Sequence, residues 1–192
     1  MVLSGKKTID CLMMLFILVS VCSNIWGQWK NGSKNGYGTQ IWPDGAKYEG
    51  YWKSNRAEGK GKFWHIDGSI FEGEWKNDKA NGYGTYINQN GARYEGYWKN
   101  DYQEGYGIEI WPDNSTYQGQ YIQGKKNGKG TYYWADGSKF TGDWENNQIN
   151  GQGRYSWSDG RKYVGMWKNN NMHGLGIHTW ADGKRYEGTS LY

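Results

Sequence analysis

Three histidines, His65, His173 and His178, are the only imidazoles in the chain, and zinc would need more than these. Both cysteines, Cys11 and Cys22, lie in an apolar segment at the start, so no histidine has a thiol partner downstream. Solvated turn and strand histidines are the plainer reading. Carboxylates recur as Glu49, Glu72, Glu95 and Glu187, one per period, which suits a solvated strand face. Paired acids for glycoside hydrolysis would interrupt that regularity, and none does. No P-loop, Gly-x-Ser-x-Gly elbow or kinase signature is present, and the Gly-x-Gly pairs precede no helix that would help them hold phosphate. Nothing positive supports an enzyme, a metal site or a cofactor.

Two rows of residues could bind. Trp42, Trp111, Trp134, Trp157 and Trp180 recur in step, interrupted by His65 and Asn88, and exposed indoles stack on sugars or cations. Their strand parity matches that of the Gly-x-Gly pairs, which places them along one face. The competing reading is that these rings cover glycine backbone, because nothing else would form a core. The second row is basic: Lys30, Lys53, Lys76, Lys99 and Lys168, with Lys47, Arg93, Lys139, Lys162 and Arg185 at another step of the pattern. Lys47, Glu49 and Lys53 alternate in sign, which argues for ordinary cross-strand pairing. A stripe for anionic headgroups needs a less balanced field than this chain's net +4.

The elements that must carry these rows follow from composition. Of 192 residues, 31 are Gly, 13 Trp and 17 Tyr, whereas Leu, Ile, Val and Phe together make 26. That is below the ~20% of a chain with an aliphatic core. After residue 23 the only leucines are Leu175 and Leu191, so a helical bundle has nothing to bury. Low net charge and 18% aromatic residues argue against disorder. Any core is aromatic and spaced by glycine.

Residues 1–23 are of another kind. Lys6 and Lys7 precede an apolar run from Cys11 to Cys22 that ends at Ser23 and Asn24, the layout of a secretory signal peptide. The run is shorter than the ~20 residues of a membrane span, and a short uncleaved anchor is the alternative. Cleavage would leave residues 24–192 with net charge +3 and no cysteine, exported or membrane-associated. A cytosolic-face location follows only if the segment stays attached. Asn31-Gly-Ser33 and Asn114-Ser-Thr116 would accept N-glycans in a eukaryotic secretory lumen.

From residue 24 onward the chain repeats every 23 residues. Gly27, Gly50, Gly73, Gly96, Gly119, Gly142, Gly165 and Gly188 keep this interval without an insertion. Two positions before each stands an aromatic residue (Tyr48, Phe71, Tyr94, Tyr117, Phe140, Tyr163, Tyr186), or Ile25 in the first copy. Two positions after stand Trp29, Trp52, Trp75, Trp98, Tyr121, Trp144 and Trp167, then Ser190. Gly-x-Gly pairs and an Asp-Gly-like turn complete each unit, giving 25–47, 48–70, 71–93, 94–116, 117–139, 140–162, 163–185 and a partial 186–192. A short fixed period means an array whose units hold up their neighbours.

One unit can be read as two strands. Tyr48, Gly50 and Trp52 share a face and Glu49, Tyr51 and Lys53 the other. Glycine between two rings leaves room for a ring to lie over backbone. Gly59-Lys-Gly61-Lys-Phe63 forms the second strand, with both glycines on one face. Asp67-Gly68 turns the chain, and Ser54–Glu58 reads as the longer loop. A two-residue turn would set Phe71 opposite Trp64. An odd-length one sets Phe71, Gly73 and Trp75 against Phe63, Gly61 and Gly59, and is preferred because it stacks ring on glycine. At ~4.8 Å per strand, seven units extend for about 65 Å.

The pattern Tyr-x-Gly-x-Trp, Gly-x-Gly, Asp-Gly resembles the MORN (membrane occupation and recognition nexus) repeat, over residues 25–188. The resemblance implies an all-β fold: an open, elongated, twisted antiparallel meander of β-hairpins, here preceded by a short hydrophobic N-terminal helix. It also implies a non-enzymatic scaffold that organises a membrane-associated or protein assembly, through acidic phospholipid, a protein partner or homotypic contacts at exposed edge strands. Ile25, Tyr121, Ser190 and Asn114 depart from the pattern. The alternative function is an exported array that binds glycan, choline or cell wall through the Trp row. No nucleic acid is expected as a partner.

Overall fold

The structure is a computed structural model that describes residues 24–190, with side chains through 189. The helix, leader or anchor expected at 1–23 lies outside the described residues. Among the described residues the regular structure is all β, fifteen strands, and no helix is long and apolar enough to cross a membrane. The chain divides between Gln89 and Asn90 into two compact units, both open antiparallel meanders in which each strand pairs with the next.

In the first unit the short strands β3 (Lys47–Lys53) and β5 (Ile70–Lys76) carry the ring–glycine–ring motif, and β1 (Asn24–Lys30) carries it with Ile25 in place of the first ring. The longer β2 (Ser33–Ile41), β4 (Arg56–Trp64) and β6 (Lys79–Ile87) carry Gly-x-Gly. The second unit continues this alternation. Its short strands are β7 (Arg93–Lys99), β9 (Thr116–Ile122), β11 (Lys139–Glu145), β13 (Lys162–Lys168) and β15 (Arg185–Ser190). Between them run β8 (Tyr102–Ile110), β10 (Lys125–Tyr133), β12 (Gln148–Ser156) and β14 (Asn171–Thr179).

The register follows the odd-length turn. Phe63 faces Phe71, Gly61 faces Gly73 and Gly59 faces Trp75 across β4 and β5. The turn between them spans residues 65–69, closed by His65 N–H to Ser69 O at 2.9 Å and by Asp67 Oδ1, which accepts from Ser69 N–H at 2.9 Å. This wide turn, not Ser54–Glu58, is the longer connection. Ser54 and Asn55 alone join β3 to β4, with φ of 49° and 68°, as a primed two-residue turn demands. Asn55 holds that conformation by clipping onto the preceding hairpin: its N–H donates to Lys34 O at 3.1 Å and its Oδ1 accepts from Lys34 N–H at 2.8 Å. Asp78 grips Ala57, and Asn170 grips Ile149, in the same way. Residues counted as loop from the sequence are therefore strand.

Shortening the loop leaves two surplus residues, and a bulge absorbs them. Gly50 faces Gly61 but Trp52 faces Ala57, and the bulged Gly59 has φ 82°. A Cβ on Gly59 would point at Tyr51 Cβ, 3.6 Å away, on the face opposite the rings. The two glycines of a pair thus do different work, rather than lining one face together. Gly59 bends the strand; Gly61 seats a ring, since a Cβ there would lie 2.6 Å from Tyr48 Cζ.

Candidate functional site

The ring face is spent on holding the hairpins together. Tyr48, 1% exposed, lies over Gly50 of its own strand and Gly61 of the next, edge-on to Trp52 at 4.9 Å and Trp75 at 5.2 Å. Its hydroxyl donates to Tyr51 O at 3.0 Å, and burial pushes its pKa above the ordinary tyrosine range. Trp52 Nε1 donates back to Gly38 O at 3.1 Å and Trp75 Nε1 to Gly61 O at 3.0 Å. Each indole therefore ties its strand to the preceding hairpin. Phe71 and Tyr94 are buried over Gly73 and Gly96, and Trp98 meets Tyr94 edge-on at 5.1 Å. In the second unit Tyr117, Tyr121, Phe140, Trp144, Ile149, Tyr163 and Trp167 join Tyr94 in one buried cluster.

Tyr121 stands where its counterparts are tryptophan, and the backbone pairing of its strand is unchanged. Its hydroxyl donates to Glu109 Oε2 at 3.0 Å, where its tryptophan counterpart Trp144 bonds a backbone carbonyl. Glu109 is also paired with Lys126 Nζ at 2.9 Å, and that ammonium sits 4.9 Å from the Trp111 ring and 5.1 Å from that of Tyr117. Asn114, with φ 66°, takes the left-handed turn position that glycine fills in the other repeats.

Trp111, Trp134 and Trp157 are half-buried and pack against the second cluster, and Trp42 against the first. A row not singled out in the sequence lies between them: Phe63 in the first unit, Tyr132, Tyr155 and His178 in the second. Tyr132 is 5.4 Å from Trp111 and 4.6 Å from Trp134; Tyr155 is 5.0 Å from Trp134 and 4.6 Å from Trp157. Only at the end of the row does a ring stand open, Trp180 at 44% exposure.

Lys53, Lys76 and Lys99 each close a short strand at the tight-turn end and are exposed. In the first unit Lys53 faces Arg56 and Lys76 faces Lys79, so cations stand opposite cations. The alternation of sign read from the sequence resolves differently from simple cross-strand pairing: Lys47 pairs with Glu49 along its own strand at 2.8 Å. Lys62 pairs across strands with Glu72 at 2.9 Å.

The reverse face of the second unit carries a groove of about 910 Å³. Glycines of β9 to β13 form part of its lining, and its walls are side chains from β8 to β14. Toward one end stand Tyr106, Gln118 and Gln120, then Thr131 and Thr141. Toward the other stand Val164, Met166 and Leu175, the last 70% exposed. Lys129 is the only charged residue in the lining, and Asp143 Oδ1 neutralises it at 2.6 Å. Sequence reading missed this wall because strand parity assigned those positions to solvent. The signal was there: Val164, Met166, Leu175 and Ile177 are apolar where one repeat earlier stand Thr141, Asp143, Gln152 and Arg154.

Among the described residues no cluster of histidine, cysteine and carboxylate could hold a metal ion. Stacked hairpins with a packed ring face and an open reverse face define the class: a β-repeat array built to present surface. The MORN repeat family model matches residues 27–47, 48–70, 71–93, 94–116, 117–139, 140–160 and 163–185, and the chain belongs to that family. A search of curated proteins found no match. Among solved structures, the chain is similar to the TCP domain of Drosophila melanogaster SAS-4 (dCPAP) in complex with a proline-rich motif of Ana2 (dSTIL). The two share 15% identity over 94% of this chain and 100% of that one, with a TM-score of 0.51. The wild-type TCP10 domain of Danio rerio CPAP is similar at 8% identity, over 87% of this chain and 79% of that one, with a TM-score of 0.51. At these identities the likeness is one of fold.

Proposed function

We propose that this chain is a non-enzymatic scaffold whose second unit binds a segment of a partner protein on its reverse face. One observation carries the reading: the rings that could have served as ligand platforms are largely occupied with each other, whereas the reverse face keeps an open groove with one charged lining residue, Lys129, paired with Asp143. The SAS-4 TCP domain, a similar fold, is in complex with a proline-rich motif, which supports a protein segment as the ligand class. A second reading has its own support. The like-charged pairs Lys53/Arg56 and Lys76/Lys79 would repel unless an anion lies between them, so the tight-turn edge of the first unit suits an acidic phospholipid surface.

Three probes separate these readings and the glycan alternative. The full chain is immobilised and offered phage displaying random nonapeptides, phosphatidylcholine vesicles with and without phosphatidylserine, and insoluble polysaccharide. Enriched peptides support the scaffold reading. Capture only by acidic vesicles, lost in a Lys53→Glu/Lys76→Glu variant, replaces it with the lipid reading. Retention on polysaccharide, abolished by Trp134→Ala and Trp157→Ala without unfolding, would replace both.

A further inference from the structure

We infer that the groove takes an extended segment of about nine residues free of basic side chains, anchored by an aliphatic or prolyl side chain on Val164, Met166 and Leu175. This rests on the reading of the chain as a protein-binding array and adds which residues do the binding and what they select.

The dimensions choose the shape of the ligand. From Tyr106 on β8 to Leu175 on β14 the groove crosses six strand intervals, about 29 Å at ~4.8 Å each. An extended or polyproline chain fits, at about 3.1–3.3 Å per residue.

The walls choose its chemistry. Strands β8 to β14 are paired on both sides, so no backbone edge is available and a ligand cannot join as an added strand. Side chains must read it, and those at one end are carboxamides and hydroxyls: Gln118, Gln120, Thr131, Thr141. These donate to and accept from a peptide backbone but offer no counter-charge to a phosphate, an acid or a base. Lys129 is paired with Asp143, and the exposed Arg154 stands beside the groove between Thr141 and Val164, so a basic residue entering it would lose water and meet a like charge. At the other end the exposed Val164, Met166 and Leu175 remain in water until something apolar covers them. A segment with its apolar residue at that end satisfies both halves; one reversed or basic satisfies neither.

The test uses the nonapeptides enriched on the full chain, measured by fluorescence polarisation. Expected sequences lack basic residues and place proline or an aliphatic residue toward one end. Leu175→Glu should weaken binding at least tenfold and Gln118→Ala about threefold. Tyr51→Ala, on the reverse face of the first unit, should leave it unchanged. Leu175 is so exposed that its replacement should not alter the thermal melt, which separates lost contact from lost fold. Peptides rich in basic residues, or binding within twofold of normal in Leu175→Glu, overturn the groove assignment while leaving a protein-segment function standing. If no peptide is enriched, the groove assignment and the scaffold reading fall together.

Discussion

The two units are made from one repeat and treat its two faces differently. In the first, the reverse face is charged and self-paired: Lys47 with Glu49, Lys62 with Glu72, and Tyr37 donating to Glu49 at 3.0 Å. Its buried residues include Tyr48, Trp52, Ala57, Phe71 and Ala80. The second unit has eight residues in its buried cluster, and over β13 and β14 its reverse face carries the apolar Val164, Met166, Leu175 and Ile177. Val164 stands where the first unit has Glu49 and Glu72, and Leu175 where it has Tyr37 and Lys60. Ring-on-glycine packing needs only one face of the repeat, so the other is free to diverge. The contrast teaches that the ring face holds the hairpins together in both units, while the reverse face, which the proposed function assigns to recognition, differs from repeat to repeat within the chain.

The strongest way to break this contrast is to fill a ring seat. Gly130→Val places a side chain where the Tyr117 ring lies and should cost about 3 kcal/mol or more, read as a large drop in the thermal midpoint. Gly61→Val in the first unit should displace Tyr48, visible as a loss of amide protection centred on β3, β4 and β5.

Alkali should sharpen the comparison next. Burial raises the pKa of Tyr117, Tyr121 and Tyr163 in the second unit and of Tyr48 in the first. A raised tyrosine contributes stability that is fully present below the ordinary value of 10.0 and lost as pH climbs through the folded values. Three buried groups against Tyr48 and Tyr37, whose pKa is raised chiefly by its hydrogen bond to Glu49, predict that β9 to β13 lose amide protection more steeply above about pH 10 than β3 and β4 do. Equal loss in both units would contradict the assignment of these rings to the core.

A smaller effect separates the two lysines at matching repeat positions. Lys126→Ala leaves Glu109 half-buried without its cation and should cost about 2 kcal/mol. Lys34, whose Nζ donates to neutral Gln40 and lies 3.5 Å over the Trp52 ring, should cost about 1 kcal/mol or less. Smallest of all, Lys62→Ala removes an exposed pair with Glu72 and should change stability by less than about 0.5 kcal/mol in a denaturant titration.

Much of this was legible in the chain. Period two around Tyr48-Glu-Gly50-Tyr-Trp52 gave the strand and its ring face, and the demand for a ring over glycine selected the register that pairs Gly61 with Gly73. Loop lengths were not legible, because Ser54-Asn55 reaches its left-handed geometry with help from Lys34, 21 residues before Asn55. The division of labour within Gly59-Lys-Gly61 was hidden for a related reason. Identical residues two apart look alike until a bulge turns one to the other face.

By itself the sequence determined the repeat, the all-β class and an aromatic core, since glycine spacing and the lack of aliphatic residues leave a chain no other way to bury surface. The tertiary structure decided which rings are occupied and which surface is open. Those properties depend on neighbours in the adjoining hairpin: whether Trp75 Nε1 finds Gly61 O, or whether Val164 and Leu175 meet anything at all, is set by how hairpins align, and a linear pattern does not contain that distance.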